Sequence, residues 1–435
     1  MYCYKLIAIK LINMIHQDTS YKYLFLFVFF FPFMGLLLSL YYWQKSWAKN
    51  VFWFACMYMA FVHIYIPDGS VLGEGVDIGR YVAQFQEAHN MSLTFNEICN
   101  SNVSRDFYQA VMTYLVSRFS GEGHVLYLFF GIIYGFFYSR NMWFLLERLP
   151  KCFSKWLYLL IAVYFLICPI WNIGGVRMWT ALHVFCYGAL PYLWDRDHSR
   201  LWWSILSIFI HFSFIMPVCV LLGYCILPNR IKIGQLFLNI VMSLYLLTFI
   251  TNMLDVNQIG AFLQTMAPNL FEDRVAGYFG EEYVGKIAEH IGSHSFFYKV
   301  STYVNQYVIL YFAIIAFLRI RKIKDRAASK VKRLFSFALF LYALANMLAI
   351  VPSGGRFIYV AQMFLLPAIL FSLTNFSYRY NGLTKIVLLS SSVWLLFVIR
   401  AGAECYGINL LIGNFITALP LETNVSFIKM LLYII

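Results

Sequence analysis

Residues 174–194 read GGVRMWTALHVFCYGALPYLW, with an arginine two residues after a glycine pair at the head of an apolar run. About 20 apolar residues are enough to cross the hydrocarbon core of a membrane as one helix. Two glycines permit a tight turn and a close approach of backbone to a ligand. The stretch therefore predicts a spanning helix with a charged head at the membrane surface, which is the signature of a functional site.

The composition extends this prediction to the whole chain. Of 435 residues, 61% are hydrophobic and only 12% are charged, whereas soluble proteins carry about 25% charged residues. The nine cysteines are scattered, without the paired spacing of a disulfide framework or a zinc site. We expect an all-α, polytopic integral membrane protein that forms a single domain over residues 1–435.

The apolar segments predict about ten spanning helices. Segment 107–119 is too short to cross and is predicted to be a re-entrant or interfacial helix. The run 201–227 is too long for one span and is interrupted at His211, which predicts a hairpin of broken helices. The ten segments are 23–42, 50–66, 124–146, 156–171, 176–194, 234–253, 302–318, 334–351, 357–374 and 386–400.

Basic residues concentrate in the short loops on one side of this arrangement. The net charge is +13, and eight basic residues lie between Arg319 and Arg333. Such a loop follows the positive-inside rule and is cytoplasmic, so the charge does not indicate nucleic acid binding. Two long loops, 67–122 and 254–301, then lie on the outer side. The basic loops are 44–50, 147–155, 195–200, 229–233, 319–333 and 379–385.

Polar residues that could carry chemistry gather on that outer side. Each has a simpler interpretation: Asp77 with Arg80 as a local helix pair, Arg177 as a snorkelling cation, and His211 as a buried core histidine. Their recurrence on the side that other cations avoid favours function. The candidates are Asp77, Arg80, Tyr81, Arg177, His211, Ser213, Arg274, Tyr278 and Arg356.

The residue types indicate recognition of an anion. Arg177 and Arg356 each follow a glycine pair at the head of a predicted span, and an arginine fork matches phosphate oxygens in a bidentate way. Asp77 and His211 are alternative general bases. His290 and His294 are four residues apart, but no glutamate follows His290 as in the HExxH zinc pattern. We therefore expect no metal and no cofactor.

These motifs resemble those of the Wzy-type O-antigen polymerases, and especially those of the related EpsG-type exopolysaccharide proteins. The resemblance covers most of the chain. In one place the chain departs from the pattern, because Met178 follows Arg177 where a glutamine is frequent. The matching features are Gly75-x-Asp77-x-x-x-Tyr81, Arg177, His211-x-Ser213, Arg274-x-x-x-Tyr278 and Arg356.

The resemblance implies a metal-independent glycosyltransferase of GT-C-like fold in the bacterial inner membrane. It would transfer a glycan from undecaprenyl pyrophosphate to a lipid-linked repeat unit, with the active site facing the periplasm. Arg177 and Arg356, with Arg80 or Arg274, would bind the pyrophosphate. A separate chain-length regulator is the partner expected for such a polymerase, besides lipid-linked glycans and membrane lipid.

Two other functions fit a polytopic protein with charged helix ends. A flippase or transporter of lipid-linked oligosaccharide would place charges near the bilayer midplane and often carries internal repeats, and the sequence shows neither. A membrane acyltransferase acting on sugars could use His211, but acyl transfer gives no reason for paired outer arginines.

Overall fold

The computed structural model describes residues 21–65, 77–101, 106–150, 153–226, 235–251, 296–322, 326–349, 353–375, 378, 380–418 and 425–434. Two predicted site residues, Arg274 and Tyr278, and most of the predicted outer loop 254–301 lie outside these ranges.

The described residues form helices and connecting turns, with no strand among them. Three short 3-10 helices, Ile170–Gly175, His198–Arg200 and Phe212–Phe214, connect longer elements. The α-helices are Tyr21–Phe30, Pro32–Tyr41, Ala48–Phe61, Asp77–Asn90, Phe95–Ser101, Phe107–Ser117, Gly123–Leu146, Leu157–Leu166, Val176–Asp195, Leu201–Ile210, Ile215–Ile226, Gln235–Thr251, Phe296–Ile320, Arg326–Leu348, Arg356–Asn375, Gly382–Glu404, Asn409–Ile412 and Phe427–Ile434.

Within these ranges, five helical stretches are long and apolar enough to cross a membrane. Helix Gly382–Glu404 shows the membrane character most clearly, because Leu383, Ile386 and Leu396 are at least 60% exposed on its outer surface. A surface of large apolar side chains is favourable only when hydrocarbon, rather than water, covers it. The all-α membrane fold is confirmed, and the number of about ten spans stays a prediction. The five stretches are Leu157–Asp195, Lys299–Ile320, Ser329–Leu348, Arg356–Asn375 and Gly382–Glu404.

The first predicted span, 23–42, is not one continuous helix. It is divided into Tyr21–Phe30 and Pro32–Tyr41, with Phe31 at φ −132° and ψ 65°. Proline lacks the amide hydrogen that continues a helix and disfavours helical geometry in the preceding residue. A Cβ on Gly35 would lie 2.6 Å from Val28 Cγ1, so the absence of a side chain at Gly35 lets the two helices fold closely together.

Contacts between the basic loops confirm that they share one side. Lys49 Nζ lies 2.9 Å from Glu147 Oε1, and Arg148 Nη2 lies 2.9 Å from Asp195 Oδ2. The other oxygen of Asp195 accepts from Lys330 Nζ at 2.8 Å. Four of the predicted cytoplasmic loops therefore meet at one end of the helices, here called the basic face.

Residues 201–226 form the broken-helix hairpin that the length of the run 201–227 and its histidine predict. Helix Leu201–Ile210 starts beside the basic face and ends at His211. The Asp106 carboxylate contacts both His211 and Arg177, and Arg177 lies at the end of helix Val176–Asp195 that is opposite the basic face. Helix Ile215–Ile226 then returns, since Tyr224 donates to the Arg333 carbonyl oxygen at 3.0 Å. The Arg333 guanidinium in turn donates to the Trp194 carbonyl oxygen at 2.7 Å, at the basic end of helix Val176–Asp195.

The predicted non-crossing segment 107–119 forms helix Phe107–Ser117, which has 11 residues. At 1.5 Å per residue it covers about 16 Å, roughly half of the hydrocarbon thickness. It packs beside helix Asp77–Asn90, where Gln109 Nε2 donates to Gln84 Oε1 at 3.1 Å. Its length agrees with a helix that does not span, and its first turn begins next to His211.

Tyrosine hydroxyls support the backbone that leads to Arg177. The chain leaves α-helical geometry between helix Leu157–Leu166 and the 3-10 helix Ile170–Gly175. The Tyr134 hydroxyl lies 3.0 Å from the Cys168 carbonyl oxygen, and Tyr138 donates to the Phe165 carbonyl oxygen at 2.7 Å. Irregular backbone at membrane depth requires such partners, so these tyrosines fix the path of the turn.

Gly188 should be essential for the contact between the hairpin and helix Val176–Asp195. A Cβ there would lie 2.4 Å from Ser204 Oγ and 2.7 Å from the Arg200 carbonyl oxygen, whereas one on Gly223 would meet nothing within 4 Å. We expect Gly188→Ala to destabilise the protein by about 1–3 kcal/mol through overpacking. The matched control, Gly223→Ala, should be neutral or slightly stabilising. Thermal unfolding of both variants in detergent measures the difference, and equal melting temperatures would contradict this packing.

Candidate active site

The Asp106 carboxylate lies at the centre of a polar cluster at the end of the helices opposite the basic face. Its Oδ2 accepts a hydrogen bond from Arg177 Nη1 at 2.8 Å and lies 2.8 Å from His211 Nδ1. Its Oδ1 accepts from the Phe212 backbone amide at 3.1 Å. With only 7% of the Asp106 side chain exposed, three donors surround one buried carboxylate.

Three separate elements bring this cluster together. Asp106 directly precedes helix Phe107–Ser117, and Arg177 is the second residue of helix Val176–Asp195. His211 adopts extended backbone geometry, φ −148° and ψ 114°, between the two arms of the hairpin. Backbone amides at the start of a helix have no partner within that helix. The Phe212 amide, at the start of the second arm, donates to the Asp106 carboxylate instead.

Tyr81 completes the surroundings of Arg177. Its hydroxyl accepts from Arg177 Nε at 3.0 Å, and its ring centroid lies 5.3 Å from the guanidinium carbon. Tyr81 is 3% exposed on helix Asp77–Asn90. Burial raises the pKa of this phenol and outweighs the opposing effect of Arg177, so Tyr81 is neutral and acts through its hydroxyl group.

The cluster keeps Asp106 ionised. Burial raises the pKa of the Asp106 carboxyl, but the hydrogen bonds from His211 and the Phe212 amide and the charge of Arg177 together lower it below its ordinary value. The negative carboxylate and the positive guanidinium therefore neutralise each other in a site from which water is largely excluded.

This pairing restricts what Arg177 can offer to a ligand. Its side chain is 16% exposed, and its Nε and Nη1 atoms are bonded to Tyr81 and Asp106. In the described ranges Nη2 forms no hydrogen bond, so this nitrogen could donate to an anion. Its role as a pyrophosphate ligand stays a prediction, and its structural role as the partner of Asp106 is visible.

Arg356 is placed differently, as an exposed cation at the first position of helix Arg356–Asn375. Across the described part of the chain it forms no ion pair, and an arginine at a helix N-terminus opposes the helix dipole. Its neighbour Phe357 contacts Phe214, with ring centroids 6.3 Å apart, just after the hairpin break. An anion bound there would relieve the unfavourable placement of this charge.

Asp77 and Arg80 form an exposed pair in the first turn of helix Asp77–Asn90. Arg80 Nη2 lies 2.5 Å from Asp77 Oδ1, and the side chains are 54% and 44% exposed. The simpler interpretation of a local helix pair thus describes what these residues do in this structure. The catalytic role of Asp77 and the binding role of Arg80 stay predictions.

Ser213 lies within the hairpin break, two residues after His211. Its hydroxyl oxygen is enclosed and has no hydrogen-bond partner among the residues that the structure describes. A hydroxyl without a partner beside the cluster is consistent with the predicted binding role, which remains untested.

Asp106 is the residue that the sequence interpretation missed. It occurs in the predicted outer loop 67–122 as one carboxylate among several, without an arginine or glycine pair beside it. The one available signal is its position directly before a short apolar segment on the side of the candidate arginines. Among the described residues, no group of three His, Cys, Asp or Glu side chains is placed to hold a metal ion.

Fold and site together define an all-helical membrane protein with a charge-neutral polar cluster at one end of its helices. The sequence profile of the EpsG family matches residues 69–410, which is most of the chain and includes the whole cluster. The chain belongs to the EpsG family, which indicates a membrane protein of the polysaccharide polymerase type. The family resemblance inferred from the motifs is thereby confirmed. No curated protein and no solved structure shows significant similarity to the chain.

Removal of Arg177 and removal of Arg80, two candidate site residues that each pair with a carboxylate, should have very different effects on stability. Arg177→Ala leaves the buried Asp106 carboxylate without its cation, which costs about 3–5 kcal/mol. Arg80→Ala breaks a pair whose side chains are both about half exposed, which costs at most about 1 kcal/mol. Thermal unfolding of the two variants measures the contrast. A loss of stability in Arg177→Ala no larger than in Arg80→Ala would show that the Asp106 pair is not a structural element.

Proposed function

We propose that this chain is a polysaccharide polymerase that transfers a glycan from undecaprenyl pyrophosphate to a lipid-linked repeat unit. The observation that carries the proposal is the Asp106–Arg177–His211 cluster at the end of the helices opposite the basic face. Membership of the EpsG family supports the class of reaction.

Orientation follows from charge. Because basic loops are retained in the cytoplasm, the basic face would be cytoplasmic and the cluster would open toward the periplasm of the bacterial inner membrane. Lipid-linked repeat units displayed on the outer leaflet would then meet the site without crossing the hydrocarbon core.

The hydrocarbon tail of such a substrate needs an apolar surface within the protein. A cavity of about 420 Å³ opens between helices Pro32–Tyr41, Ala48–Phe61, Leu157–Leu166 and Gly382–Glu404. Its lining includes Ile170 and Trp171, in the turn that leads to Arg177. This supports a substrate whose lipid lies among the spans while its polar head is at the cluster.

The reaction places two demands on the protein. A hydroxyl oxygen of the acceptor sugar attacks the anomeric carbon of the donor, the bond from that carbon to the pyrophosphate breaks, and the hydroxyl proton passes to a base. Undecaprenyl pyrophosphate leaves with the bonding electrons. Preorganised positive charge near this leaving group is the principal requirement.

Arg356 is the residue best placed to supply that charge, because it is exposed and unpaired among the described residues, whereas Arg177 is already engaged by Asp106. Nη2 of Arg177 and the Arg80 side chain are further donors, and Arg274 and Tyr278 keep the binding role that the family motif implies. No step in this scheme requires a metal or a cofactor.

His211, rather than Asp77, is the proposed acceptor of the hydroxyl proton. One oxygen of the Asp77 carboxylate is already occupied by Arg80 at 2.5 Å. His211 lies at the break of the hairpin with its side chain 22% exposed, so its ring borders both the buried carboxylate and the space beside the helix ends.

Arg356→Ala should abolish long chains without unfolding the protein. In cells that depend on this chain, we expect single-repeat glycan to accumulate, because one preorganised charge contributes on the order of 10²–10³-fold in rate. Arg356→Lys should restore little, since an ammonium group cannot make the bidentate contact. Electrophoresis of the surface glycan, at matched protein level, measures the chain-length distribution.

Arg400→Ala is the matched control, because Arg400 is an exposed arginine that is paired with Glu404 at 2.8 Å. It should leave the ladder unchanged. A normal ladder in Arg356→Ala would contradict the proposed role of this residue. Loss of all surface repeats on deletion of the chain, rather than loss of long chains only, would favour the flippase alternative.

A further inference from the structure

We propose that Asp106 is a positioning residue that holds the Nδ1–H of His211 and so leaves Nε2 free to accept the proton of the attacking hydroxyl. The inference rests on the proposed glycan transfer for its catalytic meaning. Its structural half, the control of the His211 tautomer by Asp106, can be tested without any glycan.

The hydrogen-bond inventory around the carboxylate determines the tautomer. An ionised carboxylate can only accept, and Asp106 Oδ2 lies 2.8 Å from His211 Nδ1. The hydrogen between these atoms must therefore belong to Nδ1. A neutral imidazole with Nδ1–H carries its lone pair on Nε2, the nitrogen that points away from Asp106.

The orientation of Asp106 is itself fixed. Oδ1 accepts from the Phe212 amide at 3.1 Å, and Phe212 is covalently next to His211. The carboxylate thus contacts the backbone after the histidine with one oxygen and the histidine ring with the other. Because the side chain is 7% exposed, little water competes for either oxygen.

Arg177 makes a buried carboxylate compatible with an anionic substrate. It neutralises Asp106 at 2.8 Å, so the site does not present a bare negative charge to the pyrophosphate. When Nε2 takes the hydroxyl proton, the imidazole becomes an imidazolium, and the adjacent carboxylate stabilises the new positive charge. Asp106 keeps its own ionised state throughout, and the Nδ1–H bond is not broken.

The decisive variant is Asp106→Asn, which preserves shape and removes charge. If the asparagine oxygen still accepts from the Phe212 amide, its NH₂ group faces Nδ1 of His211 and also Nη1 of Arg177, so the guanidinium must turn away from it. His211 must then accept at Nδ1 and carry its hydrogen on Nε2, the wrong tautomer for a base. In a Ser-His-Asp triad, the same exchange lowers turnover by about 10⁴-fold for this reason.

The first measurement is nitrogen-15 NMR of the full-length protein with labelled histidine in lipid nanodiscs, with the His211 signals assigned by their absence in His211→Gln. We expect Nδ1–H in the wild type and Nε2–H in Asp106→Asn. Asp106→Glu, which retains a carboxylate, should keep Nδ1–H. An unchanged tautomer in a folded Asp106→Asn protein would overturn the proposal, whatever its activity.

The second measurement is chain elongation by purified variants supplied with a lipid-linked repeat unit. We expect the elongation rate of Asp106→Asn to be about 10²–10⁴-fold below that of the wild type, and Asp106→Glu to recover part of this loss. In a protein that already carries His211→Ala, Asp106→Asn should lower the elongation rate by a further factor of less than about 3, because the base is already absent. Glu404→Gln, an exposed carboxylate at 46%, is the control and should elongate normally.

The results distinguish a failure of the link between Asp106 and His211 from a failure of His211 as the base. Fully additive losses from Asp106→Asn and His211→Ala would show that Asp106 does not act through His211. If the tautomer changes as expected while His211→Ala elongates normally, the base assigned under the proposed function is wrong, and the link between Asp106 and His211 stands.

Discussion

A single buried carboxylate organises the functional end of this molecule. Asp106 receives Arg177, His211 and the Phe212 amide from two other elements, at distances between 2.8 and 3.1 Å. In a largely apolar protein, a charge at this depth is tolerated only when donors and a counter-ion surround it. The start of helix Val176–Asp195 and the break of the hairpin 201–226 are therefore fixed relative to each other by the same carboxylate that holds the candidate base.

Membrane physics explains why the cluster lies where it does. Basic side chains collect at the opposite end, where Asp195 bridges Arg148 and Lys330 and ties the loops together. Between the two ends, tyrosine hydroxyls satisfy the carbonyl groups of the unwound segment before Arg177. The ion pairs at Asp106 and at Asp195 thus lie at opposite ends of the helices, and the apolar helices between them present hydrocarbon to lipid.

The sequence predicted much of the fold because its signals are local. Apolar length located the long helices, charge asymmetry placed the basic loops on one side, and the excessive length of 201–227 with His211 inside it predicted the hairpin. The break at Phe31 was missed because a run of hydrophobic residues conceals one proline. The number of about ten spans is not decided, since several apolar helices are shorter than a simple span.

Part of the site was predicted because its motifs are also local in the sequence. Tyr81, Arg177 and His211 were named from motifs, and the structure joins them. Asp106 was missed because its meaning depends on contacts with residues 71 and 105 positions away, which no local pattern encodes. The motifs also could not distinguish Arg177, which is bound internally, from Arg356, which is exposed and available to a ligand.

A structure of the protein with a non-reactive lipid pyrophosphate glycan bound would show whether the end of the helices at Asp106 is the active site. We predict phosphate oxygens within hydrogen-bond distance of Arg356, a sugar hydroxyl beside His211 Nε2, and the Asp106 contacts retained. Phosphates bound at the basic face or midway through the helices, with the Asp106 cluster unoccupied by substrate, would contradict this prediction.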